Sequence, residues 1–157
     1  MSRKKLLVSV IGGHKCSRRT AAIAEAAGRE IALAGAVLVS GGLGGVMEAA
    51  SRGAASAGGL TVGIVPGGDK NAANRYVDIS IATGMGYSRN TLVAGAADIV
   101  VAFPGSYGTL SEIGFAMNSK KPVYGFDSWK IKGVRRLRTA SELRRVLETG
   151  QRQKGRG

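Results

Sequence analysis

One stretch of the chain, residues 98–112 (DIVVAFPGSYGTLSE), combines an apolar run, a glycine-containing turn and a helical segment. Ile99–Phe103 is rich in β-branched residues, which is typical of a strand buried within a parallel sheet. After a Pro-Gly break, the chain is predicted to resume as a helix at Thr109 that carries Glu112. Free backbone N–H groups and the helix dipole favour an anion at such a turn. The stretch therefore predicts a phosphate site beside a carboxylate.

The rest of the chain alternates apolar runs, glycine-containing loops and helical patterns. We predict strands at residues 6–11, 36–40, 60–65, 77–82, 99–103 and 122–126, and helices at residues 17–34, 46–57, 87–97, 109–118 and 139–148. This alternation predicts an α/β fold, a three-layer, Rossmann-like, doubly wound and mostly parallel sheet with helices on both faces. The glycine-rich loops after the first, second and fifth strands should then meet at the edge where such folds bind ligands.

The composition predicts a single domain in a reducing compartment. With 157 residues and 44% hydrophobic residues, we expect one nucleotide-binding domain at residues 1–149 and a basic, disordered tail at residues 150–157. No apolar run is long enough for a membrane span, so we predict no membrane partner. The single cysteine, Cys16, excludes internal disulfides, and we expect a cytoplasmic location.

The net charge of +13 is concentrated at the two ends of the chain. Residues 1–20 carry +6, residues 130–157 carry +8, and the body between them carries −1. The favoured interpretation is that the basic residues are solvated and keep the protein soluble. No aromatic residues are interleaved with the C-terminal basic residues to stack nucleic-acid bases. Nonspecific binding of polyanions by the basic C-terminal end is the alternative.

Two familiar phosphate-binding fingerprints are missing from the sequence. The densest glycines follow the second strand, and Met47 stands where a dinucleotide-binding G-x-G-x-x-G motif needs its third glycine. No G-x-x-x-x-G-K-[ST] string occurs either. Neither NAD binding nor ATP hydrolysis is therefore expected.

Four segments resemble the LOG (Lonely Guy) family and its relatives, which include the molybdenum cofactor carrier proteins. They are SGGLGGVMEAASRGA (40–54), GGLTVGIVPG (58–67), SRN (88–90) and PGSYGTLSE (104–112). The last segment corresponds to the family pattern P-G-G-x-G-T-x-x-E, and the string GMGYSRN is most similar to the carrier branch. The resemblance implies a Rossmann-type fold and a homodimer or homotetramer. It also implies one of two roles: cleavage of the N-glycosidic bond of nucleoside 5′-monophosphates, or binding of a cofactor without catalysis.

The resemblance assigns catalytic roles to Glu112 and Arg89. A carboxylate would stabilise the positive charge that develops on the ribose, and the arginine would hold the phosphate or position the base. Two structural alternatives stay open. Residues 109–112 also form a capping-box pattern in which Glu112 would bond back to the helix start, and Arg89 would be an exposed, solvated helix residue.

The predicted phosphate or nucleotide site is built mainly from glycines. Its residues are Gly12, Gly13, Gly41, Gly42, Gly44, Gly45, Gly105, Ser106, Tyr107, Gly108 and Thr109. Ser40 and Met47 are weaker candidates for lining the site, and His14 is expected to be a loop residue rather than a catalyst. Close packing of helices on the sheet is the alternative explanation for the glycines after the second strand.

Two departures from the LOG pattern concern the site itself. Ser106 replaces the second glycine of the P-G-G string, and Asn90 replaces a lysine. Both weaken the expectation of hydrolase activity more than that of binding. The sequence predicts a small phosphorylated ligand, either an AMP-like nucleotide or a molybdopterin-type cofactor, with no metal site and no required cofactor.

Overall fold

The structure, a computed structural model, describes residues 4–155, and these residues form one parallel sheet covered by helices. The seven strands are β1 (Leu7–Ile11), β2 (Val37–Ser40), β3 (Thr61–Val65), β4 (Ile79–Ala82), β5 (Ile99–Ala102), β6 (Val123–Gly125) and β7 (Arg135–Arg136). Their order in the sheet is β4-β3-β2-β1-β5-β6-β7, with every neighbouring pair parallel. The predicted Rossmann-like fold is confirmed.

Five α-helices of residues 4–155 cover the two faces of this sheet. They are α1 (Arg18–Leu33), α2 (Val46–Ser56), α3 (Asn90–Ala96), α4 (Tyr107–Asn118) and α5 (Ala140–Lys154). Helices α1, α2 and α5 share one buried cluster with the sheet, and α3 and α4 share the other. Neighbouring strand residues enter opposite clusters, as Val100 and Val101 of β5 do, because side chains alternate between the faces of a strand.

The strand order reverses between β1 and β5. From β1 the chain adds β2, β3 and β4 on one side, and it then returns to place β5, β6 and β7 on the other. The helices that follow β1 and β5, α1 and α4, therefore lie on opposite faces of the sheet and leave a crevice at the carboxyl ends of these two strands. Ligands of open parallel sheets bind at such switch points.

Two predicted helix starts are wrong, and one strand was missed. Helix α4 begins at Tyr107, two residues before the predicted start, and the predicted helix at residues 87–97 begins as a 3₁₀ helix, Gly86–Arg89. The short strand β7 was not predicted.

The prediction of a disordered tail at residues 150–157 is also wrong for the described part of that segment. Helix α5 continues to Lys154, whose Nζ bonds Asp98 and the backbone oxygen of Lys5. Residues 156–157 lie outside the described residues. Among residues 4–155, no helix is long and apolar enough to cross a membrane.

Candidate functional site

Three glycine-containing loops meet at the β1/β5 switch point. The N–H of Gly13, after β1, donates to the carbonyl of Pro104, after β5, at 2.9 Å. The N–H of Val46, which begins α2 after the second loop, donates to the carbonyl of Gly13 at 3.0 Å. Backbone hydrogen bonds therefore fix the predicted convergence of the three loops.

A cavity of about 420 Å³ lies where these loops meet, and we call it the switch-point cavity. It is lined by Gly12, Gly13, His14, Leu43, Met47, Pro66, Gly86, Tyr87, Arg89, Asn90, Ser106, Gly108 and Thr109. Its size is within the range of small-molecule and cofactor sites.

The N-terminus of α4 opens into this cavity. Ser106 occupies the N-cap position in an extended conformation, and its side chain makes no capping hydrogen bond. The first N–H groups of a helix have no acceptor within the helix. The exposed start of α4 therefore presents donors and the positive end of its dipole to an anion.

Gly105 allows the β5 loop to fold closely against the first turn of α4. A Cβ atom at this position would lie 2.0 Å from Thr109 Oγ1 and 3.0 Å from the Gly13 nitrogen. Gly105 therefore shapes the wall of the switch-point cavity, although it does not line the cavity itself.

Arg89 provides the positive charge of the cavity and is only 7% exposed. Its guanidinium donates to Asn90 Oδ1 and, at 3.3 Å, to the carbonyl of Gly41. Its Nε is buried and has no hydrogen-bond partner among the described residues. Burial lowers the pKa of Arg89, although the nearby Glu112 opposes this change. The alternative of a solvated Arg89 is therefore wrong.

Glu112 lies behind Arg89 and does not line the cavity. Its Oε1 is 3.9 Å from Arg89 Nη1. Burial raises the pKa of Glu112 to about 8, although Arg89 acts to lower it. Among the described residues, Glu112 makes no hydrogen bond to the start of α4, so the predicted capping box is not formed. The reason is that α4 begins at Tyr107, which places Glu112 in the second turn.

Asn90 connects Arg89 to α4. Its Oδ1 accepts from Arg89, while its Nδ2 lies 3.2 Å from Ser111 Oγ. Asn90 is 3% exposed. Asn90, which stands where the LOG pattern has a lysine, thus holds Arg89 in place and adds no positive charge.

The structure brings only some of the predicted site residues to the cavity. Those that line it are Gly12, Gly13, Arg89, Ser106, Gly108 and Thr109. Those that do not line it are Gly41, Gly42, Gly44, Gly45, Gly105, Tyr107 and Glu112. Ser40, a weaker candidate, is buried and accepts a hydrogen bond from the Gly42 nitrogen, which is a structural role.

Sequence reasoning missed part of the lining. Leu43, Pro66, Gly86 and Tyr87 were not predicted, because apolar and loop residues carry no chemical signal of their own. His14 and Met47, which ranked low, do line the cavity. Among residues 4–155, no cluster of His, Cys, Asp and Glu side chains could hold a metal ion.

Known proteins share both the sequence and the fold. An uncharacterized protein of Archaeoglobus fulgidus is 42% identical over 140 residues, covering 88% of this chain and 92% of that protein. The molybdenum cofactor binding protein of the phototrophic bacterium Rippkaea orientalis superposes with a TM-score of 0.88 and 32% identity, covering 94% of this chain and 98% of that one. The Moco carrier protein of Chlamydomonas reinhardtii superposes with a TM-score of 0.86 and 28% identity, covering 96% and 99%.

The family assignment rests on nearly the whole chain. The model of the SLOG cluster4 family matches residues 5–154, a range that includes every strand and helix described above. The chain therefore belongs to the SLOG cluster4 family.

Proposed function

We propose that this protein is a non-catalytic carrier that binds a phosphorylated pterin of the molybdenum cofactor type in the switch-point cavity. The observation that carries the proposal is Arg89, a buried cation that lines the cavity beside the first turn of α4. A buried charge is costly without a counter-charge, and an anionic ligand would supply one. The molybdenum cofactor binding and carrier proteins that share the fold support this choice of ligand.

The residues of the cavity fit such a ligand. A phosphate group would be held by the first turn of α4 together with Arg89. Leu43 and Met47 supply apolar lining, which suits a flat heterocycle, and methionine adapts well to such rings. An AMP-like nucleotide shares this chemistry and is the second candidate ligand.

The position of Glu112 favours binding over hydrolysis. Cleavage of an N-glycosidic bond needs an ionised carboxylate close to the ribose. Glu112 lies outside the cavity lining, and its pKa of about 8 leaves it mostly protonated at neutral pH. The hydrolase activity that the LOG resemblance implies therefore stays a prediction, and binding is the function that the geometry supports best.

A paired assay tests the proposal. Purified protein is incubated with molybdenum cofactor released from a molybdoenzyme, and separately with a panel of nucleoside 5′-monophosphates. We expect retention of the cofactor on the protein and no release of free base from any nucleotide. Base release that the Glu112→Ala variant loses would instead establish the hydrolase, and failure to retain the cofactor would exclude the carrier.

We also propose that the protein forms a homo-oligomer through the face that contains β4. This edge strand exposes Ile79 and Ile81 at 47% and 46%. An edge strand with exposed β-branched apolar side chains is prone to aggregate unless another surface covers it. A second copy of the chain would provide that cover.

A further inference from the structure

A second cavity, of about 570 Å³, lies after the carboxyl end of β6, in the segment that connects β6 to β7. We call it the Trp129 pocket. It is lined by Gly125, Asp127, Ser128, Trp129, Lys130, Ile131, Lys132, Val134 and Arg136. None of these residues lines the switch-point cavity, so the two cavities can be tested separately.

The charges of the Trp129 pocket favour an anion. Three cationic side chains line it, and Arg136 is paired with Asp127 at 3.6 Å. Lys130 and Lys132 make no ion pair with any residue between 4 and 155. Two lysine charges are therefore left for a ligand, and lysine ammonium groups are common phosphate binders.

The aromatic and polar lining favours a heterocycle beside that anion. Trp129 is 38% exposed, and no aromatic ring or cation of the described chain stacks on its indole. Ser128 Oγ is buried and has no hydrogen-bond partner among the described residues. A flat ring with polar edges would satisfy both features, because heterocyclic bases stack on indoles and hydrogen-bond through their edges.

We propose that the Trp129 pocket binds a nucleoside monophosphate. The base stacks on Trp129 and bonds Ser128 Oγ, while Lys130 and Lys132 neutralise the phosphate. A base alone would leave Lys130 and Lys132 without a counter-charge, and a phosphate alone would leave Trp129 without a stacked ring. This site is independent of the carrier function proposed for the switch-point cavity.

Fluorescence titration tests the proposal directly, since Trp129 is the only tryptophan of the chain. The full-length protein is titrated with AMP, adenosine and ribose 5-phosphate. We expect AMP to quench the emission and to bind about tenfold more tightly than either fragment, which corresponds to the loss of one charge-assisted contact or one stacked base.

Two variants and one control locate the binding. A Lys130→Gln/Lys132→Gln double variant should weaken AMP binding about tenfold or more, and Ser128→Ala should weaken it to a smaller extent. Lys4→Gln removes one exposed lysine charge outside the pocket and should leave the titration unchanged. Absence of quenching by AMP would overturn the proposal, as would equal affinity in the lysine double variant and the wild type.

Discussion

Arg89 Nη1 lies 3.9 Å from Glu112 Oε1, and the two side chains are only 9% and 8% exposed. The pair joins α4 to the end of the 3₁₀ helix that precedes α3. Because Glu112 has a pKa of about 8, it is mostly neutral at pH 7 and does not cancel the positive charge of Arg89. The arginine therefore keeps its charge for a ligand on its other side, in the switch-point cavity.

The raised pKa of Glu112 predicts a specific dependence of stability on pH. The pKa of Glu112 in the folded protein is about 8, so the side chain holds its proton up to that pH, whereas the ordinary pKa of a free glutamate is 4.5. The native state thus binds more protons between these values, so stability falls as pH rises through this window and levels off above it. We expect Glu112 to lower the free energy of unfolding by about 2–3 kcal/mol between about pH 6 and pH 9.

Chemical denaturation of the wild type and of Glu112→Gln at a series of pH values measures this effect. The glutamine variant carries the neutral form at every pH, so it should match the wild type only below about pH 4.5, and its advantage in stability should grow between pH 6 and pH 9. Parallel pH profiles for the two proteins would show that Glu112 does not titrate in this window.

A second prediction concerns the contact between α1 and α2. A Cβ atom at Gly28 would lie 1.9 Å from the carbonyl oxygen of Ala50. Gly28→Ala should therefore force the two helices apart and destabilise the protein by about 2 kcal/mol or more. Gly95→Ala in α3 is the matched control, since a Cβ there meets nothing within 4 Å. It should instead stabilise the protein by about 0.5–1 kcal/mol, because alanine favours helix. Thermal unfolding of both variants tests the contrast, and similar effects would contradict it.

The end of α5 should contribute to stability. A Cβ atom at Gly150 would lie 3.0 Å from Ile99 Cδ1 and 3.4 Å from Leu6 Cδ2, so the helix backbone runs close to the core there. Lys154 bonds Asp98. We expect truncation after Thr149 to lower the free energy of unfolding by about 2 kcal/mol. The control is Arg152→Gln, which removes an exposed arginine of the same helix and should change stability by less than about 0.5 kcal/mol. A truncated protein as stable as the wild type would mean that this segment is not anchored.

The local signals in the sequence were sufficient for most of the fold. The apolar run of β5 and the glycines that follow β1, β2 and β5 predicted the parallel sheet and the meeting of the loops, because each signal lies within a few residues of the element it specifies. The Arg89–Glu112 pair joins residues 23 positions apart, so it depends on how α3 and α4 pack. The sequence resemblance identified both Arg89 and Glu112 as site residues. It did not show that Arg89 lines the cavity while Glu112 lies behind Arg89.

The capping-box pattern at residues 109–112 gave a wrong prediction because helix α4 begins earlier than the pattern implies. Once α4 begins at Tyr107, the buried residues of the helix are Thr109, Glu112, Ile113 and Ala116. This spacing is that of a core-facing stripe, and it places Glu112 inside the protein. The end of α5 was missed because its anchors, Lys5 and Asp98, are distant in sequence.

The proposed oligomer gives a further prediction. Ile81→Lys introduces a charge at the exposed face of β4 and should disrupt association while keeping the fold. Leu33→Lys is the control, since Leu33 is also exposed, at 57%, but lies at the end of α1. Size-exclusion chromatography with light scattering should show an oligomer for the wild type and the control and a monomer for Ile81→Lys. A monomeric wild type, or an Ile81→Lys oligomer, would contradict the assignment of this face.

The most direct test of the carrier proposal is the affinity of Arg89→Gln for molybdenum cofactor, measured beside the wild type. Removal of the buried cation should weaken binding about tenfold to a hundredfold, since a charge-assisted contact to the phosphate is lost. Arg29→Gln, which removes an exposed arginine of α1, should bind as the wild type does. If Arg89→Gln, folded as judged by circular dichroism, bound the cofactor with wild-type affinity, the switch-point cavity would not be the cofactor site.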